Sequence, residues 1–326
     1  MQRNIVEARV TAAWPKLDVL TAAELTEVGI GERLRMEAVR WGVVLRIRRG
    51  AYVLAALWKQ STHKQQNLMR IRAHFLTTPH AGAYSHTTAA RLHHLYIWSI
   101  NSTIHLSQPF SSTRRSSGGD VQTHNRVLPV GETVVLQGPR GRTITATSLE
   151  RTVLDCAREL ELHRAVIIGD HALRLGASLS KMEGMVNAMP GAPGIRKARN
   201  VLSLLDGRSE SPGETRTRLL LRTFGIPMPE PQVRLSTRHG DHRVDFAWKE
   251  ILLILEFDGR SKYFDYRPTD QVILDERKRE NALTEVHWNF FRVDWSDLSN
   301  PEELKARIIK AMERAAARTA ALRLAT

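Results

Sequence analysis

Apolar positions in the first sixty residues recur with a helical period and then give way to strand-like alternation. Thr21 followed by Glu24 has the spacing of a helix start in which each residue caps the other, so a short helix begins there. Gly29-Ile30-Gly31 interrupts it. From Glu32 to Trp41, Leu34, Ala38 and Trp41 share one stripe, and Arg33 and Arg40 are left to solvent. Gly42 stops this second helix. Val43 to Ile47, a turn at Arg48-Arg49-Gly50, and Ala51 to Leu54 then read as a β-hairpin. Helix, turn, helix and basic hairpin is the order of a winged helix, which offers its second helix to the major groove and its hairpin to the backbone. Arg33, Arg40, Arg46, Arg48 and Arg49 are the DNA-binding candidates.

Periods mix further on. Lys64 to Phe75 and Thr87 to Leu95 predict helices; Ile104 to Leu106, Asn125 to Pro129 and Val134 to Gln137 predict short strands. Helices follow from Ser148 through Ala157, around Ala165 to Leu175, and before Leu205. Asp206-Gly207-Arg208-Ser209 is polar punctuation and marks a boundary. Beyond it come a helix over Pro212 to Phe224, a strand, two more strands, a helix from about Pro268 to Thr284, a strand over His287 to Val293, and a last helix from Pro301 capped by Asn300. The fold class is therefore α/β, α+β overall, with an N-terminal winged helix (1–60), a mixed α/β middle domain (61–205) and a C-terminal domain of mixed sheet flanked by helices (206–326).

The richest stretch is Val244–Trp248 and Ile251–Asp258. Closed around Lys249-Glu250 as antiparallel strands, they set Asp245 opposite Ile254 with Glu256 two positions along. Side chains alternate faces with period two, so Asp245, Glu256 and Asp258 project together, the first two as diagonal neighbours. Converging carboxylates repel unless a cation lies between them, and oxygen ligands of this kind suit Mg²⁺ or Mn²⁺. Asp245 and Glu256 are the metal ligands expected, and such an ion serves phosphodiester hydrolysis. Lys262 is placed to stabilise developing negative charge, and Glu214, in the first turn of the preceding helix, to reach the ion through water. The alternative is a plain turn at Asp258-Gly259, with Glu256 paired to an arginine. A one-residue slip in register would remove the common face.

Charge sharpens the picture. The chain of 326 residues carries a net charge of +14, with 16 basic against 7 acidic residues over 1–125 and 21 against 20 over 201–326. Basic excess at the front points to a polyanionic partner, DNA first among them, with a solvated basic surface as the bland alternative. The single cysteine, Cys156, excludes an intramolecular disulfide framework and a thiolate zinc site, and it falls on an apolar helix face. No apolar run reaches the ~18 residues of a membrane span. The N-terminus, with Arg3, Glu7 and Arg9, lacks the apolar core of a signal peptide. A cytoplasmic protein with no membrane partner is expected.

Two resemblances follow. SPGETRTRLLLRTFGIPMPEPQV (211–233), RVDFAW (243–248), LEFDGRSKY (255–263), ERKRENAL (276–283) and WNFFRVDWSDL (288–298) resemble, in order, the actinobacterial endonuclease-like domain related to the very-short-patch-repair endonuclease. That domain belongs to the PD-(D/E)xK restriction-endonuclease superfamily. The resemblance implies that Asp245 and Glu256 are its metal-binding acids, that Glu214 is its helix acid, and that Asp258 stands where the wider superfamily has lysine. The branch commonly carries histidine just after the Asp-Gly turn, where this chain has Lys262 and Tyr263. Glu276, Arg279 and Glu280 match a helix motif of structural or DNA-facing role, with an ion pair expected for Arg279. Residues 20–54, AYSHTTAARLHHL (83–95) and TATSLERTVLDCAR (145–158) resemble the winged helix and middle region of AbiEi-type antitoxins. This implies promoter binding and an antitoxin role, with a cognate toxin as a further partner. Two functions are thus expected: a Mg²⁺-dependent endonuclease, or a regulator whose rear domain does not hydrolyse.

Other features have plainer readings. His86, His93, His94 and His105 lack the spacing of a helical ligand pair, so packing is expected of them. Ser85-His86-Thr87 has no nucleophile elbow and reads as a cap. Arg114 and Arg115 are candidates for a phosphate-contacting loop.

Overall fold

Thr21 and Glu24 cap each other as expected: the Glu24 amide donates to Thr21 Oγ1 (3.2 Å), and the Thr21 amide donates to the Glu24 carboxylate (2.7 Å). This and all that follows is seen in a computed structural model, which describes residues 1–79, 82–110, 119–259 and 270–325. The helices Ala22–Glu27 and Glu32–Arg40 precede the strands Val44–Arg48 and Ala51–Leu54, and Leu20–Thr21 adds a third strand on the far side of Ala51–Leu54. The sheet is antiparallel throughout. Among the elements that sequence periodicity misses is the helix Arg3–Ala13, which buries only Val6 and Val10. Those two residues pack with Leu20, Leu25, Ile30 and Leu34. A stripe one residue wide is too narrow to stand out from its polar surroundings.

A second, five-stranded sheet has the order Val121–Asn125, Ile104–Gln108, Ala83–Tyr84, Thr143–Thr147, Thr133–Gln137. The strand expected over 125–129 lies earlier, at Val121–Asn125, where it pairs in parallel with Ile104–Gln108. Thr143–Thr147 is a strand that periodicity does not predict. Its threonine-rich sequence lacks an apolar run, yet Ile144 and Ala146 reach the core.

This sheet and the N-terminal module form one compact unit, Met1–Cys156, so the boundary expected at 60/61 falls inside it. The helix His63–Thr77 contributes Met69 and Ala73 to a core shared with Val19, Ala51 and Val53. Arg140 donates to Glu24 Oε1 (2.6 Å) and to the Val19 carbonyl (2.7 Å). The hairpin's Arg48 pairs with Asp120. Such buried and charged contacts leave no separable linker.

The second unit is Ala157–Thr326, so residues 157–205 group with the C-terminal portion rather than the middle. A buried ion pair accounts for this. Asp170, on the helix Leu162–Arg174, meets Arg218, on the helix Pro212–Thr223, at 2.7 Å, and both side chains are almost wholly out of water. The four-stranded sheet runs Asn289–Val293, Leu253–Phe257, Gly240–Trp248, Glu230–Thr237. Its first two strands are parallel and the remaining pairings antiparallel. The helices Asp270–Glu285 and Pro301–Ala325 complete the unit. The chain is mixed α/β, consistent with α+β. Among the described residues, no helix is long and apolar enough to cross a membrane.

Candidate active site

The register of two strands places the acids. Phe246 pairs with Leu255, Ala247 with Ile254 and Trp248 with Leu253, so the next pair outward is Asp245 with Glu256. The two-residue turn expected from sequence sets Ile254 opposite Asp245; the true register is displaced because the connection is longer. It holds a 3₁₀ turn, Lys249–Ile251, and Leu252 in the left-handed conformation at φ 50°. The displacement is two in the sum of paired numbers, which preserves side-chain parity. The acids still share a face, now directly opposed rather than diagonal.

Asp245 Oδ2 accepts a hydrogen bond from the Phe257 amide (2.9 Å). Its proton affinity is pushed up to about 7: burial is the main cause, and the charges of Glu214 and Glu256 add to it against the Phe257 hydrogen bond and Arg279. Glu214 is buried behind the site, with its pKa raised chiefly by burial. Its Oε2 accepts from the Glu210 amide and from Gln232 Nε2, both at 2.8 Å. Ser211 caps that helix by accepting from the Glu214 amide at 3.1 Å. Glu214 thus tightens the start of its helix as well as sharing the field of Asp245.

Glu256 is not bare. Arg279, from the helix Asp270–Glu285, grips both its oxygens at 2.7 and 2.8 Å, and also bonds Glu276 at 2.7 Å. The expectation of an ion pair for Arg279 holds, with two acids rather than one. Arg292, which pairs in register with Glu256 on the parallel strand, reaches Glu280 at 3.0 Å and Glu276 at 3.3 Å. A cavity of about 290 Å³ opens here, lined by Asp245, Glu256, Asp258 and Glu276 together with Arg243, Arg279 and Arg292. Four carboxylates thus face three guanidinium groups, and buried Glu214 adds a fifth acid.

The donor set is all oxygen, as Mg²⁺ or Mn²⁺ prefers. Each carboxylate oxygen has a second lone pair, so Glu256 can bond Arg279 and still ligate an ion. Against this stands the clamp itself, which already neutralises Glu256.

Gly213 is a requirement of this site that no sequence motif announces. A Cβ there would fall inside the ring of Phe257, which packs edge-on against Trp295 at 4.9 Å. Gly213→Ala is expected to lower stability by about 1–3 kcal/mol through overpacking. The check is a urea titration, in which an unchanged midpoint would contradict this packing. Arg243 and Arg292 are likewise missed by sequence reasoning: Arg243 lies two residues before Asp245 on the same strand, and Arg292 pairs in register with Glu256.

The other candidates separate. Lys262, Arg114 and Arg115 lie outside the described residues. At the N-terminal module Arg33, Arg40, Arg46 and Arg49 are exposed. Arg48 is half-buried, bound to Asp120 and to Thr78 Oγ1 (3.2 Å). His93 bonds the Thr147 carbonyl (2.7 Å), a packing role as expected. His86 and His105 do come together, joined by His124, which the spacing argument does not reach. Cys156 is buried, as its apolar face implies.

No family model matches the chain. It is 32% identical over 241 residues to the uncharacterized protein MT2308 of Mycobacterium tuberculosis, an alignment covering 72% of this chain and 83% of the relative. The uncharacterized protein Rv2248 of another strain of that species matches to the same extent. The chain belongs to the family of these two mycobacterial proteins.

Proposed function

We propose that this chain is a DNA-binding protein whose C-terminal portion carries a Mg²⁺- or Mn²⁺-dependent, endonuclease-like phosphodiester-hydrolysing centre of the PD-(D/E)xK type. The observation that carries the reading is the direct opposition of Asp245 and Glu256 on adjacent strands at a cavity rimmed by Arg243, Arg279 and Arg292. Asp245 and Glu256 would hold the ion, which when bound supplies an activated water and neutralises charge on the phosphate. Asp245 Oδ2 is committed to the Phe257 amide, so Oδ1 is the atom that carries or releases a proton near neutral pH. Arg243, paired with Glu210, and Arg292, paired with Glu276 and Glu280, carry guanidinium groups that suit non-bridging phosphate oxygens once exchanged from those acids. Asp258 adds negative charge at the cavity mouth and holds the strand end through its amide, bonded to the Val293 carbonyl at 2.8 Å.

The test is nicking of supercoiled plasmid with Mg²⁺ or Mn²⁺. Wild type should nick, and Asp245→Ala and Glu256→Ala should not. Folded wild type that leaves plasmid intact with either metal defeats the hydrolytic reading.

One observation favours a second reading, a transcriptional regulator or antitoxin of the AbiEi kind with a non-hydrolysing rear domain. It is the two-pronged grip of Arg279 on Glu256, which supplies the positive charge an ion would otherwise bring. Both readings need the front module to bind DNA, through Arg33 and Arg40 on the second helix and Arg46 and Arg49 on the hairpin. Replacing Arg46 and Arg49 by alanine should weaken binding to all sequences alike. It should also lower the slope of log affinity against log salt by roughly one to two, about 0.9 for each phosphate no longer neutralised. An unchanged slope in a salt titration would remove these residues from the interface.

A further inference from the structure

In the five-stranded sheet of the first unit, three histidines meet from three separate elements. His105 lies on Ile104–Gln108, His124 on the parallel neighbour Val121–Asn125, and His86 opens the helix His86–Leu92. The register pairs Ser107 with His124, which puts His105 and His124 on one face as diagonal neighbours. The His86 ring stacks on His124 with centroids 3.7 Å apart, and each lies 5.3 Å from the His105 ring. One ring nitrogen from each histidine lies within 4.8 Å of the other two. His105 Nδ1 and His124 Nε2 are 3.0 Å apart. His86 and His105 are buried and His124 is half-buried.

The surroundings hold these rings in place. Ser107 Oγ donates to Ser85 Oγ (2.8 Å), and Ser85 Oγ lies 2.9 Å from His86 Nδ1, so a hydroxyl pair sets the orientation of that ring. The Ser85 amide bonds the His105 carbonyl (3.0 Å), and the His105 amide donates to Thr88 Oγ1 (2.8 Å). His86 itself has φ 50°, a left-handed conformation costing a side-chain-bearing residue about 1–2 kcal/mol. Hydroxyls that fix ring orientation from behind are what metal-ligating histidines require.

We propose that His86, His105 and His124 form a site for one Zn²⁺ ion, with three neutral imidazole nitrogens as ligands and the fourth position open on the His124 side. Imidazole donors suit zinc, and three protein ligands with an open place is the pattern of sites that keep an exchangeable position. The donor set differs in kind from the all-oxygen cluster around Asp245, so the two sites should prefer different ions. This inference does not depend on the nuclease reading.

The test uses the full chain, stripped with chelator and titrated with Zn²⁺ alone. To silence the carboxylate site, an Asp245→Asn/Glu256→Gln variant is titrated in parallel. Both proteins should bind one Zn²⁺ with micromolar or tighter affinity. His124→Gln, at the half-buried position, should weaken binding by at least about tenfold, as should His105→Gln, while His93→Gln should not. Should the histidine variants fail to fold, X-ray absorption at the zinc edge of the wild-type complex decides. Scattering from about three imidazoles supports the site, and an oxygen-dominated shell overturns it. Zinc binding weaker than about 100 µM, or binding equally strong in folded His105→Gln and His124→Gln, also overturns it and leaves the rings as a packing stack.

Discussion

Asp245→Asn is expected to make the chain more stable than wild type above pH 7, and no more stable below about pH 4. In the folded state the Asp245 carboxyl holds its proton up to about pH 7, against an ordinary value of 3.8. A raised value means that the folded form favours the protonated acid. The stability this contributes is complete below the unfolded value and is lost as pH climbs from 3.8 to 7. Asparagine keeps the shape of the protonated acid and cannot ionise, so the variant escapes the loss. Each pH unit of difference is worth about 1.4 kcal/mol, and the whole window would give about 4 kcal/mol. Because Asp245 borders an open cavity and is only half-buried, about 1–3 kcal/mol is the expected gain. Urea titrations at pH 4 and pH 8 in EDTA measure it. An equal gap at both pH values would show that folding does not raise the carboxyl's proton affinity. The same proton competes with an ion. Mn²⁺ affinity should therefore fall close to tenfold for each pH unit below 7, and Asp245→Asn should flatten that dependence.

Arg218→Met should act in the opposite direction, lowering stability by about 3–5 kcal/mol. Asp170 is 1% exposed and Arg218 4%. Besides its 2.7 Å contact with Arg218, the Asp170 carboxylate accepts from Thr215 Oγ1 (2.8 Å) and the Asp206 amide (2.7 Å). Arg218 in turn donates to the Leu204 carbonyl at 2.8 Å. Burial pushes the Asp170 proton affinity up, and Arg218 opposes it. Removing the guanidinium leaves a carboxylate with neither water nor a counter-charge. The double variant Asp170→Asn/Arg218→Met should regain a large part of the loss, since the charge left stranded is gone as well. Urea midpoints for the two singles and the double provide the check; strict additivity would mean that the pair does not act as a unit.

Local signals are legible in the sequence where chemistry and period agree. Thr21 with Glu24, and Pro301 after Asn300, mark helix starts that the structure has. The common face of Asp245 and Glu256 survives a wrong register because side-chain parity depends on even displacements alone. What stays hidden is non-local. A left-handed Leu252 lengthens a turn with no glycine to advertise it. Arg279 and Arg292 reach Glu256 and its neighbours from another helix and strand, and no spacing rule reports such a meeting. His124 stands among polar residues in VQTHN, a strand with little alternation, so its convergence with His86 and His105 emerges only through the parallel pairing of two strands. The boundaries of the compact units are also invisible, because they turn on buried pairs such as Asp170–Arg218 rather than on punctuation.

The link from Arg140 to Glu24 has a consequence for how the chain is made. The carboxylate that caps the helix Ala22–Glu27 is tied to a guanidinium 116 residues downstream. At about 5–20 residues per second, the nascent N-terminal module waits roughly 6–23 s on the ribosome before that partner is even synthesised. During this interval the Thr21–Glu24 capping box stands without its counter-charge, and the surface destined for Arg140 stays open to chaperones. A stalled chain of sixty residues should accordingly be more protease-sensitive than one that has passed residue 140 and emerged from the exit tunnel.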